Sequence, residues 1–104
     1  MHLLFTGDLE NAVLYDLVHD SIHDLSAGWL KVPHHGSRGS LLEEFYEVVN
    51  PNWAVISVGP NSFGHPHSEV TDFLDQSKIT WRTTQEGPIT FHVWWGLWGR
   101  FTSP

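Results

Sequence analysis

Cysteine is absent from the sequence. Disulfide bonds and thiolate metal sites are therefore excluded, and any metal ion must be held by histidine and carboxylate side chains. Lysine and arginine are also few, five in total against twelve aspartates and glutamates, and the formal net charge is −7. This balance argues against a broad basic surface for nucleic acid, because such surfaces are built from lysine and arginine.

Long apolar runs are missing as well. The most apolar stretch, residues 89–98, contains His92 and Gly96 and is too short to provide the ~20 apolar residues that cross a bilayer. No basic segment followed by an apolar one occurs at the N-terminus, so we expect neither a membrane span nor a signal peptide here. A chain of 104 residues that is 40% apolar and 16% charged is typical of one globular domain or part of one.

The hydrophobic pattern alternates between strand and helix periodicity. The predicted strands cover residues 2–6, 29–32, 53–58, 79–83 and 88–92, and the last two are predicted to be joined by a turn at residues 86–87. The predicted helices cover residues 10–23 and 41–49, and a third begins at Ser68. Ser40 with Glu43 three residues later predicts a capping box for the second helix. This alternation predicts an α/β fold with helices packed on one sheet.

Asp8 follows the first predicted strand and precedes the first helix. A carboxylate in this place lies at the carboxyl edge of the sheet, where ligands gather in open α/β folds. Aspartate is also a favoured N-cap residue, and spacing alone favours the helix cap over the ligand.

Two adjacent histidines, His34 and His35, follow the second predicted strand. Their rings point in different directions, so one can bind a metal ion while the other contacts substrate or supports the ligand. Pro33 and the apolar strand before it hold the pair at the sheet edge, and Ser37 can donate to a neighbouring ring or a phosphate. The alternative interpretation is a pair of ordinary polar loop residues.

His65 and His67 follow the third predicted strand in a Gly-His-Pro-His segment. Histidines two apart in an extended, proline-stiffened segment point to opposite sides, so we expect one ligand and one helix-capping or structural residue. The remaining histidines lack such a setting and are interpreted as ordinary surface or strand residues; they are His2, His19, His23 and His92.

Taken in order, four segments resemble the C-terminal half of the metallo-β-lactamase superfamily, in particular the hydrolase domain of ComEC-type DNA-internalisation proteins. They are Thr-Gly-Asp at residues 6–8 with Glu10, residues 30–37, residues 56–59 and residues 64–67. The sequence Leu-Lys-Val-Pro-His-His-Gly-Ser at 30–37 is the specific part of this similarity.

The resemblance implies half of an αββα sandwich, with one mixed sheet and helices on one face. Residues 1–92 would form this partial domain, and residues 93–104 a Trp-rich tail. The superfamily's upstream histidine-rich metal motif and its opening half-sheet are not in this sequence. One face of the sheet is therefore expected to lack its partner.

The resemblance also implies a chemistry. Asp8 would bridge two divalent ions, zinc or manganese, and His35 or His34 would contribute with His65 to the second ion and to catalysis. Ser37 and His67 would support this centre or contact substrate. The expected reaction is hydrolysis of a phosphodiester, with DNA as substrate, in an outward-facing soluble domain of a bacterial membrane protein. With only part of the site, the chain by itself is expected to be inactive or nearly so.

Two other functions fit the same sequence. The chain can belong to another phosphodiesterase of this superfamily, for instance one resembling phosphocholine esterases. It can instead be a non-catalytic interaction module that binds a partner through Trp94, Trp95 and Trp98, because exposed aromatic clusters usually mark interfaces. The expected partners are the missing N-terminal half or a second copy of the chain.

Overall fold

The computed structural model describes residues 2–20, 24–94 and 98–101. Six strands and three α-helices make up this part of the chain. In chain order they are β1 (Leu3–Phe5), α1 (Asn11–His19), β2 (Trp29–Lys31), α2 (Glu43–Val49), β3 (Trp53–Ile56), α3 (Ser68–Gln76), β4 (Thr80–Thr83), β5 (Phe91–Trp94) and β6 (Trp98–Phe101). No described helix has the length and apolar character that crossing a membrane requires.

Strands β1 to β4 form a parallel sheet in sequence order. Leu30 of β2 stands between Leu4 of β1 and Ala54 of β3, and Ala54 in turn faces Trp81 of β4. Each connection between neighbouring strands contains a helix, as parallel pairing requires. The predicted α/β class is confirmed.

The expected single mixed sheet is replaced by two sheets. Strand β5 pairs antiparallel with β6 instead of joining β4. The reason lies in the connection after β4, where a 3₁₀ turn at Thr84–Glu86 is followed by Gly87 with φ of 138°. A turn at residues 86–87 was predicted and is present, but it redirects the chain so that β5 does not pair with β4. Strand β5 also runs across the expected boundary at residue 92.

All three helices contribute to one hydrophobic core on the same side of the parallel sheet. Its fully buried members include Leu14 of α1, Phe45 of α2 and Leu74 of α3, packed with Leu30 and Ile56 of the sheet. Burial of each such large side chain contributes about 1.5–3 kcal/mol, so this face carries most of the stabilisation.

The opposite face of the sheet is aromatic and only partly covered. Phe91 of β5 packs against Trp29 and Trp53, with ring centroids 6.4 and 5.2 Å apart. Phe5 contacts Trp29 at 5.2 Å but remains 64% exposed, and Leu3 is 50% exposed. The apolar surface at β1, an outer strand of the sheet, therefore faces solvent.

The start of α2 and the end of α1 differ from the predictions. The capping box is wrong: Leu42 precedes α2 as N-cap without a side-chain bond, and Ser40 ends a short 3₁₀ turn at Arg38–Ser40. Leu41 and Leu42 pack against the core instead of starting the helix, which explains the shift. Helix α1 ends at His19; the predicted extension over residues 21–23, including His23, lies outside the described residues.

Tyr46 provides a test of the core. It is 3% exposed, its hydroxyl has no hydrogen-bond partner among the described residues, and burial raises its pKa. Because an unsatisfied buried hydroxyl is destabilising, Tyr46→Phe should raise the free energy of unfolding by about 1 kcal/mol. The Tyr46 hydroxyl ionises near pH 10 in the unfolded chain, whereas burial keeps it neutral in the folded chain. The stability of the wild type should therefore fall above about pH 10, and the fall should be smaller in Tyr46→Phe, which lacks this hydroxyl.

Urea unfolding followed by circular dichroism measures both effects. Tyr15→Phe is the control, because Tyr15 is half exposed on α1 and its substitution should change stability by less than about 0.5 kcal/mol. A Tyr46→Phe variant less stable than wild type would show that the hydroxyl has a stabilising partner.

Candidate metal centre at the carboxyl edge of the sheet

The loops after β1, β2 and β3 lie at one edge of the sheet, because the three strands are parallel and adjacent. Two hydrogen bonds join the first two loops. Thr6 Oγ1 donates to the carbonyl of Lys31 at 3.1 Å, and the His34 N–H donates to the carbonyl of Gly7 at 2.8 Å. Asp8 and the paired histidines are thereby held beside each other.

The loop with the paired histidines has an unusual backbone. His34 and His35 are both left-handed, with φ of 47° and 57°, a conformation that costs about 1–2 kcal/mol for each non-glycine residue. Gly36 follows with φ of 77°, and a Cβ at this position would lie 2.8 Å from Cβ of Pro66. The Gly36 carbonyl accepts from the His67 N–H at 2.9 Å. The third loop therefore holds the second in its strained form.

His35 is oriented by a backbone carbonyl. Its Nδ1 lies 2.6 Å from the carbonyl oxygen of Ser57, and because a carbonyl only accepts, Nδ1 carries a proton. The other nitrogen, Nε2, lies 3.3 Å from Oδ1 of Asp8. In the neutral ring this places a nitrogen lone pair near a carboxylate, an arrangement that a proton or a metal cation between the two atoms would stabilise.

The spacing of this pair suits two ligands of one ion. Two donors bound tetrahedrally at zinc distances of about 2.0–2.1 Å are about 3.3–3.4 Å apart. Among the described residues, no group of three or more His, Asp or Glu side chains is close enough to hold a metal ion. Asp8 and His35 are therefore spaced as two ligands of one ion would be, and the described residues provide no third ligand next to them.

His34 and His65 stand next to this pair. The His34 ring centroid lies 6.0 Å from that of His35 and 5.8 Å from that of His65. Nδ1 of His34 is shielded from solvent without a hydrogen-bond partner among the described residues and lies 3.4 Å from Oε1 of Glu10. The rings of His35 and His65 are nearly parallel, with centroids 6.5 Å apart.

Asn61 positions His65 from both sides of its backbone. The Asn61 side chain accepts from the His65 N–H at 3.1 Å and donates to the His65 carbonyl at 2.8 Å. Gln85 donates to the same carbonyl at 3.3 Å. Asn61 was not among the predicted site residues, although asparagine in a Gly-Pro-Asn loop is a signal for such local side-chain turns.

Two predicted supporting residues have local roles in the structure. His67 Nδ1 accepts from the Glu69 N–H at 3.1 Å and so caps α3, the helix-capping alternative expected for one member of its pair. Ser37 Oγ accepts from the Gly39 N–H at 3.3 Å. The interpretation of Asp8 as a helix cap is wrong, because Glu10 occupies the N-cap position of α1.

A groove of about 410 Å³ opens beside the centre. His35 and His65 form one part of its wall, and the loop that follows β3 forms much of the rest. Phe63 of this loop is 80% exposed, and its ring centroid lies 5.8 Å from that of His65. The groove therefore places an exposed aromatic ring next to the cluster of histidines.

Comparison with known proteins gives one informative similarity. Over 93 residues, 88% of the chain, the sequence is 39% identical to ComE operon protein 3 of Bacillus subtilis (strain 168). The chain spans 12% of the length of that protein. No family model matches the chain, and no solved structure shows a significant match. Membership of the metallo-β-lactamase superfamily stays a prediction.

Gly36 tests whether contact between the loops holds the histidines in place. Gly36→Ala should lower the free energy of unfolding by about 3 kcal/mol, the sum of left-handed strain and overlap with Pro66. Gly7→Ala is the control for backbone strain without overlap, because Gly7 has φ of 57° and no atom lies within 4 Å of an added Cβ. This variant should lower the free energy of unfolding by about 1–2 kcal/mol.

Gly59→Ala is the second control, because an added Cβ would meet nothing within 4 Å and the backbone is not left-handed. Its unfolding free energy should match wild type within about 0.5 kcal/mol. Equal stabilities of the Gly36→Ala and Gly7→Ala variants in urea titrations would refute a close approach between Gly36 and Pro66.

Proposed function

We propose that this chain is the C-terminal half of a metal-dependent phosphodiesterase domain of the metallo-β-lactamase type, acting on DNA in a DNA-uptake protein. The observation that carries the proposal is the Asp8–His35 pair, with Nδ1 of His35 engaged by the Ser57 carbonyl and Nε2 facing the carboxylate. The similarity to ComE operon protein 3 supports a DNA-uptake setting.

Asp8 and His35 would hold a zinc or manganese ion, with His65 as the neighbouring donor. Such an ion supplies Lewis acidity toward a phosphodiester and lowers the pKa of a water molecule. The Ser57 carbonyl keeps the proton of His35 on Nδ1, so that Nε2 remains the donor atom. This hydrogen bond also fixes the ring orientation, as supporting partners of metal-binding histidines do.

His34 would act on the substrate. Glu10 lies beside its Nδ1 and favours a proton on that nitrogen, which leaves Nε2 as the atom available to the phosphodiester. The remaining donors of a complete centre would come from residues outside this chain, which spans 12% of the length of its relative. The chain by itself is therefore expected to bind metal weakly and to hydrolyse little or nothing.

An interaction module is the second candidate, favoured by the exposed apolar surface of Leu3 and Phe5 on β1. In this function the sheet face would receive a partner or a second copy of the chain. The binding surface expected from Trp94, Trp95 and Trp98 lies outside the side chains that the structure describes.

Calorimetric titration with Zn²⁺ and with Mn²⁺ tests the metal centre. The wild-type chain should bind with weak affinity, and Asp8→Ala and His35→Ala should each weaken binding at least about tenfold, because each removes a donor. His19→Ala is the control, since His19 pairs with Glu44 at 3.0 Å on the helices. Equal affinities of wild type and Asp8→Ala would remove Asp8 from the centre.

A chimera tests the reaction. In it this chain replaces the matching segment of the Bacillus subtilis relative, and release of nucleotides from single-stranded DNA is measured with Mn²⁺ present. We expect hydrolysis by the chimera and loss of at least about 100-fold with Asp8→Ala, because electrostatic groups at such centres contribute on this scale. Preferential hydrolysis of a phosphocholine ester would instead favour the other substrate class.

Sedimentation equilibrium tests the exposed sheet face. We expect the wild-type chain to self-associate and Phe5→Ser to weaken this association about tenfold, because the variant removes a large exposed apolar side chain. Tyr15→Ser, a half-exposed aromatic position on α1, should associate like wild type. A monomeric wild-type chain at high concentration would refute this surface as a site of self-association.

A further inference from the structure

Phe63 is a large apolar side chain held in solvent next to a polar cluster. It is 80% exposed, and its ring lies at 31° to that of His65 with centroids 5.8 Å apart. This distance is within the range of favourable aromatic pairs. The Phe63 ring thus lies beside the candidate centre, while most of its surface remains available to a ligand.

The exposure of Phe63 is imposed by an ordered loop. Oδ1 of Asn61 accepts from the Phe63 N–H at 3.0 Å and from the His65 N–H at 3.1 Å. Nδ2 of Asn61 donates to the carbonyls of Gly59 and His65, at 2.9 and 2.8 Å. One side chain therefore fixes both Phe63 and His65, and the phenyl ring is presented at a defined place relative to the imidazole.

The groove beside Phe63 does not recognise its ligand through positive side chains. Its described lining residues include no lysine or arginine, and the chain as a whole carries a formal charge of −7. Lysine and arginine contacts to phosphate, which dominate most nucleic-acid affinities, are therefore absent from the described lining of this groove. An uncharged, flat group is the ligand chemistry that a phenyl ring and an apolar wall favour.

We propose that Phe63 is a stacking platform for a nucleobase of single-stranded DNA, namely the base of a nucleotide next to the phosphodiester at the Asp8–His35 centre. The proposal rests on the proposed function for the identity of the strand. Stacking of a base on an aromatic ring does not depend on sequence, because every base has a π face. Phe63 thus positions the strand beside His65 and is a binding residue of the same site.

Fluorescence anisotropy with a labelled oligothymidylate and a matched abasic oligonucleotide tests the proposal on the full 104-residue chain. Phe63→Ala and Phe63→Leu should each weaken binding of oligothymidylate about tenfold, within the range measured for single stacked bases, and Phe63→Tyr should keep it. The abasic strand should bind weakly to wild type and equally to all variants. Tyr15→Ala is the control for loss of an exposed aromatic ring elsewhere.

Three results would overturn the proposal. One is equal binding of oligothymidylate by wild type and Phe63→Ala; another is the same loss on both strands, which would show that Phe63 acts through loop structure. The third is a wild-type chain that binds neither strand. The calorimetric metal titration of wild type and Asp8→Ala contains no DNA and tests only the proposed centre. The anisotropy measurements compare Phe63 variants and test only stacking, so the two proposals can fail independently.

Discussion

Parallel pairing of β1, β2 and β3 is the constraint from which the candidate site follows. Neighbouring parallel strands end at the same edge of a sheet, so the chain returns to that edge each time a helix has crossed the core face. Asp8, His35 and His65 are distant in sequence, yet each comes from a loop at this edge. Hydrogen bonds from Thr6 to Lys31 and from His34 to Gly7 then join the first two loops.

Close packing between loops maintains a costly backbone at this edge. Two successive left-handed histidines are unfavourable on their own, and Gly36 permits the approach of Pro66 that holds their loop. The result is a His35 ring whose Nδ1 is engaged by Ser57 and whose Nε2 faces Asp8. The strained backbone therefore accompanies a fixed orientation of the His35 ring, and strained residues of this kind often cluster at functional sites.

The two faces of the sheet have different consequences for function. The helix face contains the hydrophobic core and supplies the stability that lets the edge loops remain in place. The opposite face is aromatic and leaves Phe5 largely exposed, which suits a chain that matches 12% of a longer relative. The proposed DNA-related role and the exposed apolar surface are compatible. In a larger protein, other segments can cover the apolar surface at β1 and supply the remaining ligands of the proposed metal centre.

Local sequence patterns were enough to predict the α/β class, the three helices, and the loops that carry Asp8, His34, His35 and His65. They were also enough to expect a capping histidine at His65 or His67, because proline and the start of α3 are encoded within a few residues. The Ser40 capping box was wrong, since Leu41 and Leu42 gain more by packing on the core than by starting a helix.

Long-range contacts decided part of the rest. The left-handed turn at the paired histidines is held by the approach of Pro66 to Gly36, and these residues meet only in the folded chain. The pairing of β5 with β6 and the bonds of Asn61 join residues that are close in sequence, but the patterns used for the prediction did not specify them. Sequence by itself determined which of these loops carry imidazole and carboxylate groups, because side-chain identity is local. Only the tertiary structure decided that Nε2 of His35 faces Asp8, because that orientation requires the Ser57 carbonyl at the end of another strand.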